Sequence, residues 1–213
     1  MEKSCRSYFF QFDMIRTLNS VKTGEDTVGK VQMMIASNDF EMIRKLRKCL
    51  GVCADISADC AGGTVKDILD ICVEAQPDIV LADMEFFGAV KEIRLRTDAK
   101  ILMLAAKDQI SDMVKISGKL FVSGYVFKDQ PDLVIQTVKA LAFGHITQEY
   151  LVTSLIMSEL SPAERAVFYG MLGGNVALMS APKTIANQKT NILKKLGLKS
   201  QKEFNHIFKY SKL

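Results

Sequence analysis

The sequence predicts an α/β protein, a doubly wound parallel sheet followed by a small all-α unit that is strongly basic. Three observations predict it. Short apolar runs of strand length recur between residues 31 and 127, with stretches of helical spacing between them. From residue 160 onward the pattern is helical only, with strong helix starts and glycine stops. Charge divides at the same place: from Leu160 to Leu213 nine Lys or Arg face two acids, a net of +7, whereas the preceding residues hold 19 basic and 22 acidic side chains, a net of −3. Such a split suggests that the tail meets a polyanion and the body does not.

Residues 1–28 show no clean period and end in turn signals, Gly24-Glu25-Asp26 and Gly29-Lys30, so they read as an N-terminal extension. Val31 to Ala36 is a nearly continuous apolar run ending at Ser37-Asn38-Asp39, as for a buried parallel strand leading into a helix. Met42, Ile43, Leu46 and Leu50 then recur at helical spacing. A weaker strand is expected over 54–58, and Val65, Ile68, Leu69 and Val73 mark the next helix. Ile79 to Ala82 is again strand-like and ends at Asp83; 100–106 gives another strand and 120–127 an irregular last one. Helical stretches over 88–95, 107–118 and 131–143 fill the intervals. Strands alternating with helices argue for a parallel sheet covered on both faces, with functional groups gathered at the carboxyl ends of the strands. Those ends are Ser37-Asn38, Asp83, Ala105 and Lys128.

A linker helix follows, within 146–159. Ser161, Pro162 and Glu164 form a helix start with cap, first-turn proline and capping box, and Gly173-Gly174 stops that helix. Pro182 opens another, carried by Ile185, Ile192, Leu193 and Leu196 and stopped by Gly197; Ser200 and Glu203 read as a second capping box. The expected division is 1–28 extension, 29–145 sheet unit, 146–159 linker and 160–213 basic helical unit. Three short basic helices joined by tight turns suit a nucleic-acid module.

Several classes are disfavoured. No run approaches the 18 to 20 apolar residues that cross a bilayer. The apolar cluster Tyr8-Phe9-Phe10 is broken by Asp13 and Arg16 and has no signal-peptide pattern, so a cytoplasmic location is expected. The five cysteines, at 5, 49, 53, 60 and 72, form no CxxC pair and lie far from His145 and His206, so they read as reduced thiols rather than a metal or redox site. No nucleophile with its base and no phosphate-binding glycine loop is visible; Gly62-Gly63 and Gly173-Gly174 read as turns. No enzyme activity, cofactor or metal is expected.

The segments Leu160-Ser161-Pro162-Ala163-Glu164-Arg165 and Thr184-Ile185 with Asn191 to Gly197 and Lys199-Ser200 resemble the LuxR-type helix-turn-helix domain over roughly residues 160–207. The resemblance implies that the helix from about 182 to 196 enters the major groove of double-stranded DNA, with Lys183, Thr184, Gln188, Asn191 and Lys195 facing it. Lysines, including Lys189 and Lys194, are expected on phosphates, and the amides of Gln188 and Asn191 on bases or phosphates. Two departures stand out. Gln188 occupies a position where the family usually has histidine. Between Gly174 and Thr184 the chain is also about six residues shorter than the family pattern, removing nearly two turns of the scaffold helix at ~1.5 Å per residue. DNA binding in an altered pose, weak binding, or binding only as a dimer are the alternatives this leaves.

The body, from about 30 to 145, resembles the receiver domain of response regulators through Pro77 to Asp83 and Ser123 to Asp129. That resemblance implies a five-stranded sheet in the order 2-1-3-4-5. It puts Asp83 at the phosphoacceptor position, Lys128 at the lysine that pairs with the phosphoryl group and Tyr125 at the aromatic switch. The rest of the site departs from the pattern. Ser37-Asn38 replaces the acidic pair that holds Mg²⁺, with Asp39 one position late, and Ala105 replaces a hydroxyl residue. The loop from Met84 to Gly88 is shortened; Phe86 and Phe87 either fill the metal's place or form an exposed patch. An Asp83–Lys128 ion pair explains both residues without chemistry, and residual phosphorylation is the competing reading. Together these imply an atypical response regulator acting without aspartyl phosphorylation. It would bind DNA as a homodimer paired through the sheet unit around 107–143. The alternative is a protein-interaction module that heterodimerises with another regulator and no longer binds DNA.

Overall fold

The computed structural model describes residues 30–51, 53–143, 149–174, 176 and 180–209. The predicted turn before Val31, the extension, and most of the shortened stretch between Gly174 and Ser180 lie outside the described residues.

Five parallel strands form one sheet in the order β2-β1-β3-β4-β5: β1 (Val31–Ala36), β2 (Ile56–Ala61), β3 (Ile79–Asp83), β4 (Lys100–Ala105) and β5 (Gly124–Phe127). Register follows from alternation. Met33 and Ile35 of β1, Ile79 and Leu81 of β3, and Leu102 and Leu104 of β4 face one side; Met34, Val80 and Met103 face the other. On the first side α1 (Phe40–Leu50) contributes Met42, Leu46 and Leu50, and α5 (Pro131–Ala142) contributes Val134, Val138 and Leu141. On the second, α2 (Val65–Ala75), α3 (Phe87–Arg96) and α4 (Ile110–Leu120) close the layer with Ile68, Cys72, Val90, Ile93 and Met113. β3 is buried along its whole length, which explains its uninterrupted apolar run.

Two strand boundaries move from the sequence expectation. β2 begins and ends later than 54–58, because Ile56 and Ala61 are its inward residues and Val31 pairs with Ile56. The irregular run from Leu120 is not strand until Gly124: Phe121 caps α4 in the left-handed conformation, φ 55°. The helix expected from 107 begins as a 3-10 turn, Lys107–Gln109, before α4.

The C-terminal region comprises α6 (Glu149–Ser158), α7 (Pro162–Met171), α8 (Pro182–Leu196) and α9 (Gln201–Ile207). The first capping box is present: Glu164 N–H donates to Ser161 Oγ at 3.3 Å, and Ser161 N–H to Glu164 Oε2 at 2.8 Å. The second is only half formed. Glu203 N–H donates to Ser200 Oγ, but the Glu203 carboxylate accepts from Lys199 N–H at 2.7 Å, since Ser200 is fully extended and brings that donor nearer.

The core is continuous between sheet unit and C-terminal helices. Phe168, Phe204 and Phe208 make edge-on and tilted ring contacts at 4.7–5.3 Å, and Phe121 of the sheet unit meets Phe208 edge-on at 5.8 Å. Polar contacts between α3 or its C-cap and the C-terminal helices reinforce this junction. Lys91 Nζ donates to Gly197 O at 2.7 Å, Arg94 to Ile207 O at 2.9 Å, and His206 Nε2–H to Thr97 O at 3.0 Å. α6 packs on α4 where Gly118 leaves space: a Cβ there would lie 3.3 Å from that of Leu155. The 107–143 surface expected to pair two copies is therefore partly covered by α6.

Among the described residues no helix is long and apolar enough to cross a membrane. Cys72 is fully buried, which pushes its thiol up to about 11, while Cys49, Cys53 and Cys60 are half-buried and free.

Candidate functional site

The parallel register brings the carboxyl ends of β1 and β3 side by side, so Ser37, Asn38 and Asp83 meet at one edge with Lys128, the residue after β5. Asp83 is buried and uses one oxygen twice. Lys128 Nζ lies 2.5 Å from Asp83 Oδ2, and Ser37 Oγ donates to the same atom at 3.0 Å. Ser37 Oγ in turn accepts from Asp39 N–H at 3.1 Å. Asp39 does not slip into the site: its Oδ1 caps α1 by accepting from Met42 N–H.

Asn38 is held from both sides. Its backbone N–H donates to Glu85 Oε1 at 2.8 Å and its side-chain amide to Glu85 Oε2 at 3.2 Å. The same amide pairs with Gly63, accepting from the N–H at 2.8 Å and donating to the carbonyl at 3.2 Å. Gly62 permits the approach, since a Cβ there would stand 2.8 Å from Asn38 Oδ1. The glycine pair is thus more than a turn, and with Glu85 it completes a network that sequence reading missed. The readable signal was Gly62-Gly63 directly after an expected strand end.

Ala105 closes β4 fully buried and offers only its backbone carbonyl, which accepts from Lys128 N–H at 2.9 Å. Tyr125 is half-buried in β5, edge-on to Phe127. The two phenylalanines after Asp83 part company: Phe86 is buried in the core from a 3-10 turn, and Phe87 is exposed at the start of α3. An open cleft of about 570 Å³ remains, lined by Asp39, Asp83, Glu85, Gln109, Phe87 and Lys128 among others.

A receiver fold implies Mg²⁺ at this place, and these residues do not suit it. Octahedral oxygen coordination needs free carboxylates. Here Asp83 is neutralised by Lys128, Glu85 grips Asn38, and Ser37 and Asn38 add no charge. Among the described residues no group of three or more His, Cys, Asp or Glu is placed to hold a metal ion.

The second region is α8. Pro182 opens it and Gly197 ends it in the left-handed conformation, φ 62°, with Leu198 N–H returning to Leu193 O at 2.8 Å. Ile192 and Leu196 are its buried residues, so the helix is anchored by its C-terminal half. At 100° per residue, the direction opposite that stripe carries Lys183, Asn187 and Lys194, with Asn191 and Thr190 beside it, all exposed. Asn187 was not among the expected DNA-facing residues. Thr184 and Gln188 lie on the flank, Thr184 exposed and Gln188 half-buried, and exposed Lys189 lies over the same side as Ile185 and Ile192.

Lys195, expected to face DNA, makes contacts within the chain. Its Nζ lies 2.7 Å from Glu164 Oε2 and 3.2 Å from Glu159 O, tying α8 to the start of α7. The Lys195 ammonium, then the Ser161 N–H, hold the buried Glu164 carboxyl below its ordinary range. Helical spacing put Lys195 on the outward flank; the carboxylate of the capping box draws it back.

No protein-family model matches the chain, and no curated protein does. Solved structures do. The RcsB response regulator of Salmonella typhimurium superimposes at 19% identity with a TM-score of 0.51, covering 80% of this chain and 95% of that one. Another structure of the same regulator gives 18% identity, a TM-score of 0.50 and coverage of 87% and 100%. A LuxR-family two-component response regulator from Aurantimonas sp. gives 18% identity, a TM-score of 0.49 and coverage of 62% and 98%. At such identities the likeness concerns architecture: the chain has the fold of a receiver-plus-effector response regulator, a five-stranded 2-1-3-4-5 sheet unit followed by a C-terminal helical region.

Proposed function

We propose that this chain is a sequence-specific DNA-binding regulator of transcription whose receiver-like unit works without aspartyl phosphorylation. The observation that carries this reading is α8, whose outward stripe, Lys183, Asn187, Asn191 and Lys194, is exposed and unopposed by acids on its own helix. Amides flanked by lysines at this spacing suit base-edge and phosphate contacts in a major groove. RcsB, whose fold the chain shares, interacts with DNA. The phosphate-independent part rests on Asp83, buried and already neutralised by Lys128 beside a serine, an asparagine and an alanine where the chemistry needs acids and a hydroxyl. In this reading the sheet unit, 29–145, serves as the pairing platform. With α6 over α4, the outer side of α5 around exposed Leu133 is the available part.

One observation favours the second reading, a heterodimerising interaction module without DNA binding. The N-terminal half of α8 is weakly anchored, with Ile185 only half-buried. Selection of genomic fragments by the unphosphorylated full-length protein at moderate salt separates the two. The first reading expects enrichment of a two-fold sequence by the wild type and its loss in Asn191→Ala/Lys194→Ala. Lys195 is avoided because its loss would also unsettle Glu164. A folded wild type that enriches nothing favours the second.

A further inference from the structure

β2 is an edge of the sheet, paired with β1 on one side only, and the two helices that flank it carry opposite charge. On the first face, α1 holds Arg44, Lys45, Arg47 and Lys48 against Glu41, a net of +3 over its whole length. On the other, α2 holds Asp67, Asp70 and Glu74 against Lys66, a net of −2. It is the only α-helix of the sheet unit that is net negative among the described residues. Glu41 is taken by Lys45 at 3.0 Å, and Asp67 by the cap of its own helix. Arg44, Arg47, Lys48, Asp70 and Glu74 are exposed and make no ion pair among the described residues. Burial pushes the Cys60 thiol of β2 up and the nearby Arg47 charge opposes it, so the basic face reaches toward this edge.

The two helices also stand level. Ala36 of β1 and Ala61 of β2 are register partners, and each helix begins four residues after its own strand end and runs for 11 residues. Phe40 is thus level with Val65, both of them exposed apolar first residues. Arg44 and Lys48 match Asp70 and Glu74 to within about one residue's rise, ~1.5 Å.

Charge and level together select a second copy as the occupant and fix how it sits. A two-fold axis perpendicular to the sheet would join β2 to β2, but it would set α1 on α1 and α2 on α2, like charge on like. A two-fold axis along the strands exchanges the faces and keeps the height, so α1 of each chain meets α2 of the other and opposite charges face at both contacts. We propose that two copies of this chain pair across the β2 edge about an axis parallel to the strands. Arg44 and Lys48 of one copy lie opposite Asp70 and Glu74 of the other, with Phe40 against Val65 at the carboxyl end. This surface is separate from the α5 side, and the inference stands without DNA binding.

Sedimentation of the full-length protein tests it, beside two charge-reversed variants, Arg44→Glu/Lys48→Glu and Asp70→Lys/Glu74→Lys. All four positions are exposed, so the reversals leave the core untouched. The proposal expects the wild type to pair, less tightly as salt rises, and each variant alone to pair at least about tenfold more weakly. An equimolar mixture of the two variants is expected to pair as tightly as the wild type, because reversal on both sides restores both contacts. A monomeric wild type, pairing indifferent to salt, or a mixture that stays unpaired would overturn the proposal. Variants that each pair as the wild type does would overturn it too, and would assign dimerisation to another surface such as α5.

Discussion

Asp83 and Lys128 show how the fold holds a buried charge. A buried carboxylate requires a counter-charge and hydrogen-bond donors; Lys128 supplies the charge and Ser37 a hydroxyl donor. Lys128→Met leaves that carboxylate buried with one hydroxyl partner and lowers stability by about 2 kcal/mol in urea unfolding; Asp83→Asn added to it recovers most of the loss. Glu164 and Lys195 make a second, titratable pair. Because the folded Glu164 carboxyl is held below its ordinary value of 4.5, the pair stabilises the fold fully above that value and loses its effect as pH falls through the depressed one. Urea midpoints measured from about pH 6 down to about pH 3 therefore fall less steeply for Glu164→Gln than for the wild type. The residue identities were readable in advance, but not all of these roles were. Lys195 lies on the flank of α8 and is claimed by a carboxylate 31 residues earlier, a contact no local spacing contains.

Among the elements, local chemistry predicted starts and stops better than extents. Ser161-Pro162 and Pro182 open helices, and Gly197 closes one, because caps and positive φ are properties of a few adjacent residues. Gly197 also faces Lys91, whose Nζ stands 2.8 Å from where a Cβ would be. Gly197→Ala therefore combines left-handed backbone strain with displacement of Lys91, and costs about 1–2 kcal/mol, read as a lower thermal midpoint. The same substitution at Gly173, also at positive φ but with open space around it, carries the backbone strain alone. β2 and the start of β5 were misjudged because pairing register and the left-handed turn at Phe121 set their limits. The Asn38–Gly63–Glu85 network joins three loops that only the parallel sheet brings together.

At the scale of the whole molecule, the alternation of strands with helices and the change to a basic helical tail were enough to read the architecture. The junction between the two parts was not readable. It is built from an aromatic cluster spread over Phe121, Phe168, Phe204 and Phe208 and from α3 donors that reach carbonyls more than 100 residues away. α3 starts one turn after Asp83, so one short connection runs from the Asp83 edge through Lys91 to the end of α8. In this account that connection is set permanently by the ion pair instead of by a phosphoryl group. Its most direct test is the affinity for an enriched DNA fragment, measured with and without a small acyl phosphate and Mg²⁺. The account predicts the same affinity, within about twofold, and no added phosphoryl mass on the intact protein. A rise of about tenfold or more that vanishes in Asp83→Asn would contradict it.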